Sequence, residues 1–148
     1  MLNSPIGPGM VAYAVTLLVL SANLIFLWAA SGAARNASKA AINPEDAALF
    51  KVPLMAQDPP GVARVLRAHA NAQATIYPFL FLGLTYVLVG GSARVAWIIF
   101  AVFALARIAH SILYLAGKQP WRTIAFVVSG LALVALAIAL IWRLIAKG

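Results

Sequence analysis

The chain has 148 residues, of which 64% are hydrophobic and only 9% charged, whereas soluble domains carry about 25% charged residues, so composition excludes an ordinary soluble fold. Lys and Arg number 11 against 3 Asp and Glu, a net charge of +8; the cations are scattered over connecting segments with no RNA- or DNA-binding module, which points to membrane orientation and anionic headgroups rather than to nucleic acid. Cysteine is absent, so the chain has no disulfide and no thiol nucleophile of its own, and any sulfur chemistry needs a thiol from outside.

The first apolar run, 11–30 ("VAYAVTLLVLSANLIFLWAA"), is uncharged and meets the length of about 20 residues that a bilayer crossing requires. The residues before it, "MLNSPIGPGM", hold no Lys or Arg, and the run is longer than the apolar core of about 7–15 residues in a signal peptide, so a retained helix is expected. A long connection over 31–63 contains all three acids, Glu45, Asp46 and Asp58. A second helix is predicted over 65–90, from a basic entry through "NAQATIYPFLFLGLTYVLVG". The third spans 93–115 and the fourth 123–144. The links "GGSAR" and "AGKQPWR" are short, so successive helices are antiparallel neighbours. The expectation is one all-α domain over 1–148, an integral membrane four-helix bundle with up-down-up-down order. Seven basic residues in the first and third connections (Arg35, Lys39, Lys51, Arg64, Arg67, Lys118, Arg122) face three on the other side (Arg94, Arg143, Lys147). That bias places the long first loop in the cytoplasm.

Arg107 is the most informative position, because charge inside a span costs at least about 2.5–3.5 kcal/mol on insertion scales and normally turns inward to a partner. His110 and Tyr114 follow at i+3 and i+7 in "RIAHSILY", which aligns a cation, an imidazole and a phenol on one helix face. A structural polar seam satisfied by backbone carbonyls is the alternative reading of that face. Arg64, Arg67, Asn71 and Ala74 recur along the second helix at i, i+3, i+7 and i+10. The two arginines can snorkel to headgroups, but a buried Asn71 amide requires partners. Arg122 and Thr123 open the fourth helix, where an arginine and a hydroxyl suit an anion, although an interfacial anchor reads the same. Arg35, Arg67, Arg107 and Arg122 thus cluster toward one membrane face with no acid inside any span. An anionic ligand or lipid phosphate is expected there.

"NPED" (43–46), "RVLRAHANAQATIYPFLFLGLTYVLVG" (64–90), "RIAHSILYL" (107–115) and "PWRT" (120–123) occur in this order and spacing. Together they resemble the MAPEG family, the membrane-associated proteins in eicosanoid and glutathione metabolism. The closest branch is that of microsomal prostaglandin E synthases and microsomal glutathione transferases, and the match covers nearly all of the chain from Arg35 onward. The resemblance implies a homotrimer with glutathione, as co-substrate, bound between subunits near the cytoplasmic face. It implies glutathione contacts from Arg35, Arg67, Asn71, Arg107, His110 and Tyr114. Catalytic roles fall on Arg122 as thiolate stabiliser, on Thr123 where the synthase branch has a serine, and on Asp46. Lipophilic electrophiles would arrive from the bilayer for addition, peroxide reduction or isomerisation.

Two departures stand out. The family pattern has an arginine where this chain has Ala70 and a glutamate where it has Ala74. That glutamate ordinarily faces the arginine of the third helix, and removing one partner of a buried pair costs about 3–5 kcal/mol unless something replaces it. A ligand, Asp46 or a local shift is then needed to compensate Arg107. The competing reading is a non-catalytic lipid-binding protein of the same fold, like the 5-lipoxygenase-activating branch, that has lost glutathione.

Overall fold

In the computed structural model, residues 7–146 are described, and Lys147 of the charge count lies outside them. The chain forms five helices among the described residues: α1 (Pro8–Ser38), α2 (Pro44–Phe50), α3 (Pro60–Leu88), α4 (Ala93–Leu115) and α5 (Trp121–Ile145). Beyond one isolated bridge between Ala41 and Leu54, no strand forms among those residues.

Three helices, α1, α4 and α5, are long and apolar enough to cross a membrane. α3 has the length, 29 residues, but Arg64, Arg67, His69, Asn71 and Gln73 make its first half polar. The groups that dilute its hydropathy include one that the buried arginine of α4 requires, as shown below. Large side chains such as Leu18, Phe81, Ile138 and Trp142 point outward and are more than half exposed. An outer surface so apolar suits lipid and not water.

α1 runs on to Ser38, well past the predicted end at 30. "SGAARNAS" is less apolar, yet it contains no proline and three alanines, so helix propensity carries it beyond the apolar layer. Lys39, with φ 48°, ends it in the left-handed region. The expected loop over 31–63 therefore begins with helix and contains α2, which Pro44 opens at its first turn with Glu45 and Asp46. Acids at that end complement the helix dipole.

The two tight turns share one device. Gly90 (φ 74°) follows α3, with N–H bonds from Gly90 to the Val87 carbonyl and from Gly91 to that of Tyr86. Gly117 (φ 69°) follows α4, with the same pair from Gly117 to Tyr114 and from Lys118 to Leu113. Both are Schellman endings, which reverse the chain at a residue that only glycine adopts without strain.

The resulting directions alternate. The start of α1 at Gly9 packs beside Val87 and Ala93, and near the far end of α5 Arg143 donates to the Val89 carbonyl at 3.3 Å. α3 and α4 touch each other and both remaining long helices, whereas α1 and α5 share no contact. The cross-section is a rhombus with α3 and α4 on its short diagonal. Phe79 and Phe103 stack there at 3.7 Å, and Phe100 meets Phe79 edge-on at 5.5 Å.

Candidate functional site

The polar seam starts at Arg107, which is 0% exposed. Its Nη2 donates to Asn71 Oδ1 at 3.0 Å, while Nε and Nη1 have no hydrogen-bond partner among the described residues. Asn71, a neutral amide, is thus the side chain that answers Arg107, in place of the ligand, Asp46 or local shift that the sequence called for. Asp46 does not compensate Arg107; its carboxylate accepts instead from Asn43 Nδ2 at 3.0 Å. Ala74, the position of the missing glutamate, is exposed on the outer side of α3.

His110 lies one turn on and is 3% exposed, with Nδ1 also unpartnered. Its ring meets Tyr114 edge-on at 5.6 Å and Phe126 of α5 at 5.9 Å. The half-buried Tyr114 then carries Arg122, whose guanidinium carbon stands 4.6 Å from the ring centroid. Arg122 and Thr123 both contact the amide of Gln119, just ahead of α5. A continuous path of contacts therefore leads from sealed groups deep in the bundle to an accessible cation at its end. Arg107 and His110 are sealed in this arrangement, each against a less buried neighbour, Asn71 and Tyr114 respectively. Asn71, Tyr114, Arg122 and Thr123 are the members within reach.

The other predicted residues lie elsewhere. Arg67 is exposed, because Asn71 sits about 40° further round the helix and only that edge of the stripe turns to α4. Arg35 is not uncompensated, as the span-by-span reading expected: its Nη1 meets Asp58 Oδ1 at 3.2 Å. Asp58 is far in sequence but the chain returns there to begin α3. Arg35 and Asp46 also line a space of about 330 Å³ between the end of α1 and α2, with Lys39 and Phe50. Since α1 and α5 do not touch, this group and the Arg122–Thr123 group occupy separate corners of one chain.

Two residues of the seam escaped sequence reasoning. Asn23 of α1 donates to Ser111 Oγ at 3.1 Å, and both are buried. The available signal was an amide in the middle of an uncharged span, which demands a partner in hydrocarbon.

The sequence profile of the MAPEG family matches residues 12–142, so the match takes in the whole seam. This chain belongs to the MAPEG family. Among MAPEG relatives, the prostaglandin E synthase of Homo sapiens is 38% identical over 129 residues, covering 86% of this chain and 84% of that protein. That of Equus caballus is 40% identical over 114 residues, with 76% and 74% covered. Microsomal glutathione S-transferase 1 of Rattus norvegicus is 39% identical over 115 residues, with 74% covered in each. MAPEG membership and the three apolar spans place the chain in a membrane.

Proposed function

We propose that this protein is a membrane glutathione-dependent transferase or peroxidase acting on lipophilic electrophiles. The observation that carries the proposal is the Asn71–Arg107 and His110–Tyr114–Arg122 seam, into which no carboxylate is hydrogen-bonded among the described residues. Arg122, a cation at the rim of the seam with no carboxylate partner among the described residues, matches an anionic tripeptide, with the Thr123 hydroxyl next to it in sequence. The relatives named glutathione transferase and prostaglandin E synthase support the same chemistry.

Glutathione, when bound, supplies the thiol that the chain lacks. Arg122 stabilises its thiolate as a nearby cation does, by favouring the charged form. Thr123 offers a hydroxyl proton to the same sulfur. Asn71 and Tyr114 hold the polar backbone of the tripeptide, positioned from behind by Arg107 and His110. Arg35 and Arg67 take its carboxylates, and Asp46 stands ready for proton transfer at the mouth.

α3 is read as a fourth span, with its polar first half turned into the protein, and the charged end of the bundle as the cytoplasmic end. The separation of Arg35 and Asp46 from Arg122 and Thr123 is the reason for assigning the site to a boundary between copies, in a homotrimer. One copy then contributes the α1 end and its neighbour the α5 end. Electrophiles enter from the bilayer through the apolar outer surface.

The test is turnover of an aryl halide by detergent-purified protein at millimolar glutathione. Conjugation that Arg122→Ala largely removes is the expected result, and no turnover on aryl halides or lipid hydroperoxides sinks the proposal. One observation favours a second reading: Ala70 and Ala74 leave the outer face of α3 without charge at two exposed positions. A lipid-binding protein without glutathione chemistry fits that face, and titration calorimetry with glutathione separates the two, being silent for the second.

A further inference from the structure

Gln119 belongs to no motif and is neither buried nor charged, yet it touches both residues expected to handle the thiol. It lies at i−3 from Arg122 and i−4 from Thr123, ahead of the first turn of α5. With its amide oxygen toward Arg122, that oxygen accepts from Nη2 at 2.6 Å and from Nε at 3.2 Å, and its amide nitrogen donates to Thr123 Oγ1 at 3.0 Å. The reverse placement lets Thr123 Oγ1 donate to the amide oxygen at 3.0 Å but sets the amide nitrogen against the guanidinium, donor against donor, and leaves Arg122 without its two bonds. Arginine only donates, so the polarity of the amide is decided by Arg122.

We infer that Gln119 is a positioning residue that clamps the Arg122 guanidinium over Tyr114 and fixes the Thr123 hydroxyl as an acceptor, leaving its proton free for an incoming anion. The inference rests on the glutathione reading for the identity of that anion. The clamp itself does not, because it is a property of this chain's own side chains.

The logic is a matter of proton accounting. A threonine hydroxyl has one proton and two lone pairs. One lone pair is occupied by the Gln119 N–H, so the proton is not drawn back into the turn. Nε and Nη2 of Arg122 both donate to the single amide oxygen of Gln119, and the ring of Tyr114 covers the face of the guanidinium at 4.6 Å. The remaining edge of the guanidinium and the Thr123 proton are then the donors left for a thiolate. Being a neutral amide, Gln119 holds the cation without cancelling its charge. A glutamate of the same shape would do the opposite on both counts: its carboxylate would neutralise Arg122 and accept the Thr123 proton.

The experiment compares the wild type with Gln119→Glu and Gln119→Leu, two changes at an exposed position. The first readout is the pH titration of bound glutathione thiolate by ultraviolet absorbance, alongside kcat and KM. Gln119→Glu is expected to raise the thiol pKa by about 1 unit or more, as a neighbouring anion does, with glutathione KM changing by less than about threefold, equivalent to under about 0.7 kcal/mol. Gln119→Leu is expected to lower kcat with a smaller shift. A thiol pKa unchanged in both variants overturns the inference. The second readout needs no glutathione: the rate at which phenylglyoxal labels Arg122, followed by mass spectrometry. Gln119→Leu is expected to accelerate labelling severalfold, and equal rates overturn the clamp. If the wild type binds no glutathione, the proposed function fails while the labelling rates still decide the inference.

Discussion

Asn71→Ala is expected to destabilise the bundle more than deleting the charge it serves. Arg107 is fully buried, and of its hydrogen-bonding nitrogens only Nη2 has a partner, Asn71 Oδ1 at 3.0 Å. A hydrogen bond to a charged group contributes about 1.5–3 kcal/mol in water-soluble proteins. Measured couplings inside membrane proteins reach only about 1.7 kcal/mol, because the unfolded chain in detergent also finds partners. The lower range governs, so Asn71→Ala should cost about 1.5 kcal/mol. Arg107→Met removes the charge together with its two orphan donors and fills the volume with an apolar chain. Such replacements are often neutral or stabilising by about 1–4 kcal/mol. On the Arg107→Met background, Asn71→Ala should therefore cost little. The assay is equilibrium unfolding in mixed micelles of the two single variants and the double variant. An Arg107→Met variant as unstable as Asn71→Ala refutes the reasoning, since it means that Arg107 is satisfied by groups other than Asn71.

Three further predictions concern packing, charge and the site's rim. A Cβ added at Gly83 would stand 3.2 Å from the Phe100 ring, which is held between Phe79 and Tyr13, whereas one at Gly130 meets nothing within 4 Å. Gly83→Ala should lower stability by about 1–2 kcal/mol and Gly130→Ala raise it by about 0.5–1 kcal/mol, read from micelle unfolding midpoints. Asp58→Asn should change stability by less than about 1 kcal/mol, because the Arg35 pair is part-exposed, yet tighten glutathione binding by calorimetry as Arg35 is released. Tyr114→Phe keeps the ring beneath Arg122 and should retain most of kcat while raising glutathione KM by the loss of one hydrogen bond of about 0.5–1.5 kcal/mol, whereas Tyr114→Leu also loses a cation–π contact of about 0.5–1 kcal/mol and about two- to fivefold in rate.

The spans and their alternating directions follow from features written locally in the chain: uncharged runs, and glycines placed where each turn needs a left-handed residue. Arg107 announced its own need for a partner, because charge in hydrocarbon is costly at any position. Which group answers it was not legible. Helical spacing relates residues on one helix, but the meeting of Asn71 with Arg107 depends on how α3 is rotated against α4. The same limit hid the Asp58 partner of Arg35, formed only when a long connection folds back to the end of α1. The extension of α1 to Ser38 was missed because loss of hydropathy was read as loss of helix, although alanines sustain a helix in water as well as in lipid. Gln119 gave no signal at all, since a neutral amide in a turn acquires meaning only from the two side chains it joins.

The central claim is that Arg122, presented at the end of a buried polar seam, holds glutathione as a thiolate. Its most direct test is the ultraviolet thiolate absorbance of glutathione bound to the detergent-purified protein at neutral pH, with Arg122→Ala alongside. The expected result is a thiolate band in the wild type that disappears in the variant while the protein stays folded. Absence of the band in the wild type, or an undiminished band in Arg122→Ala, contradicts the claim.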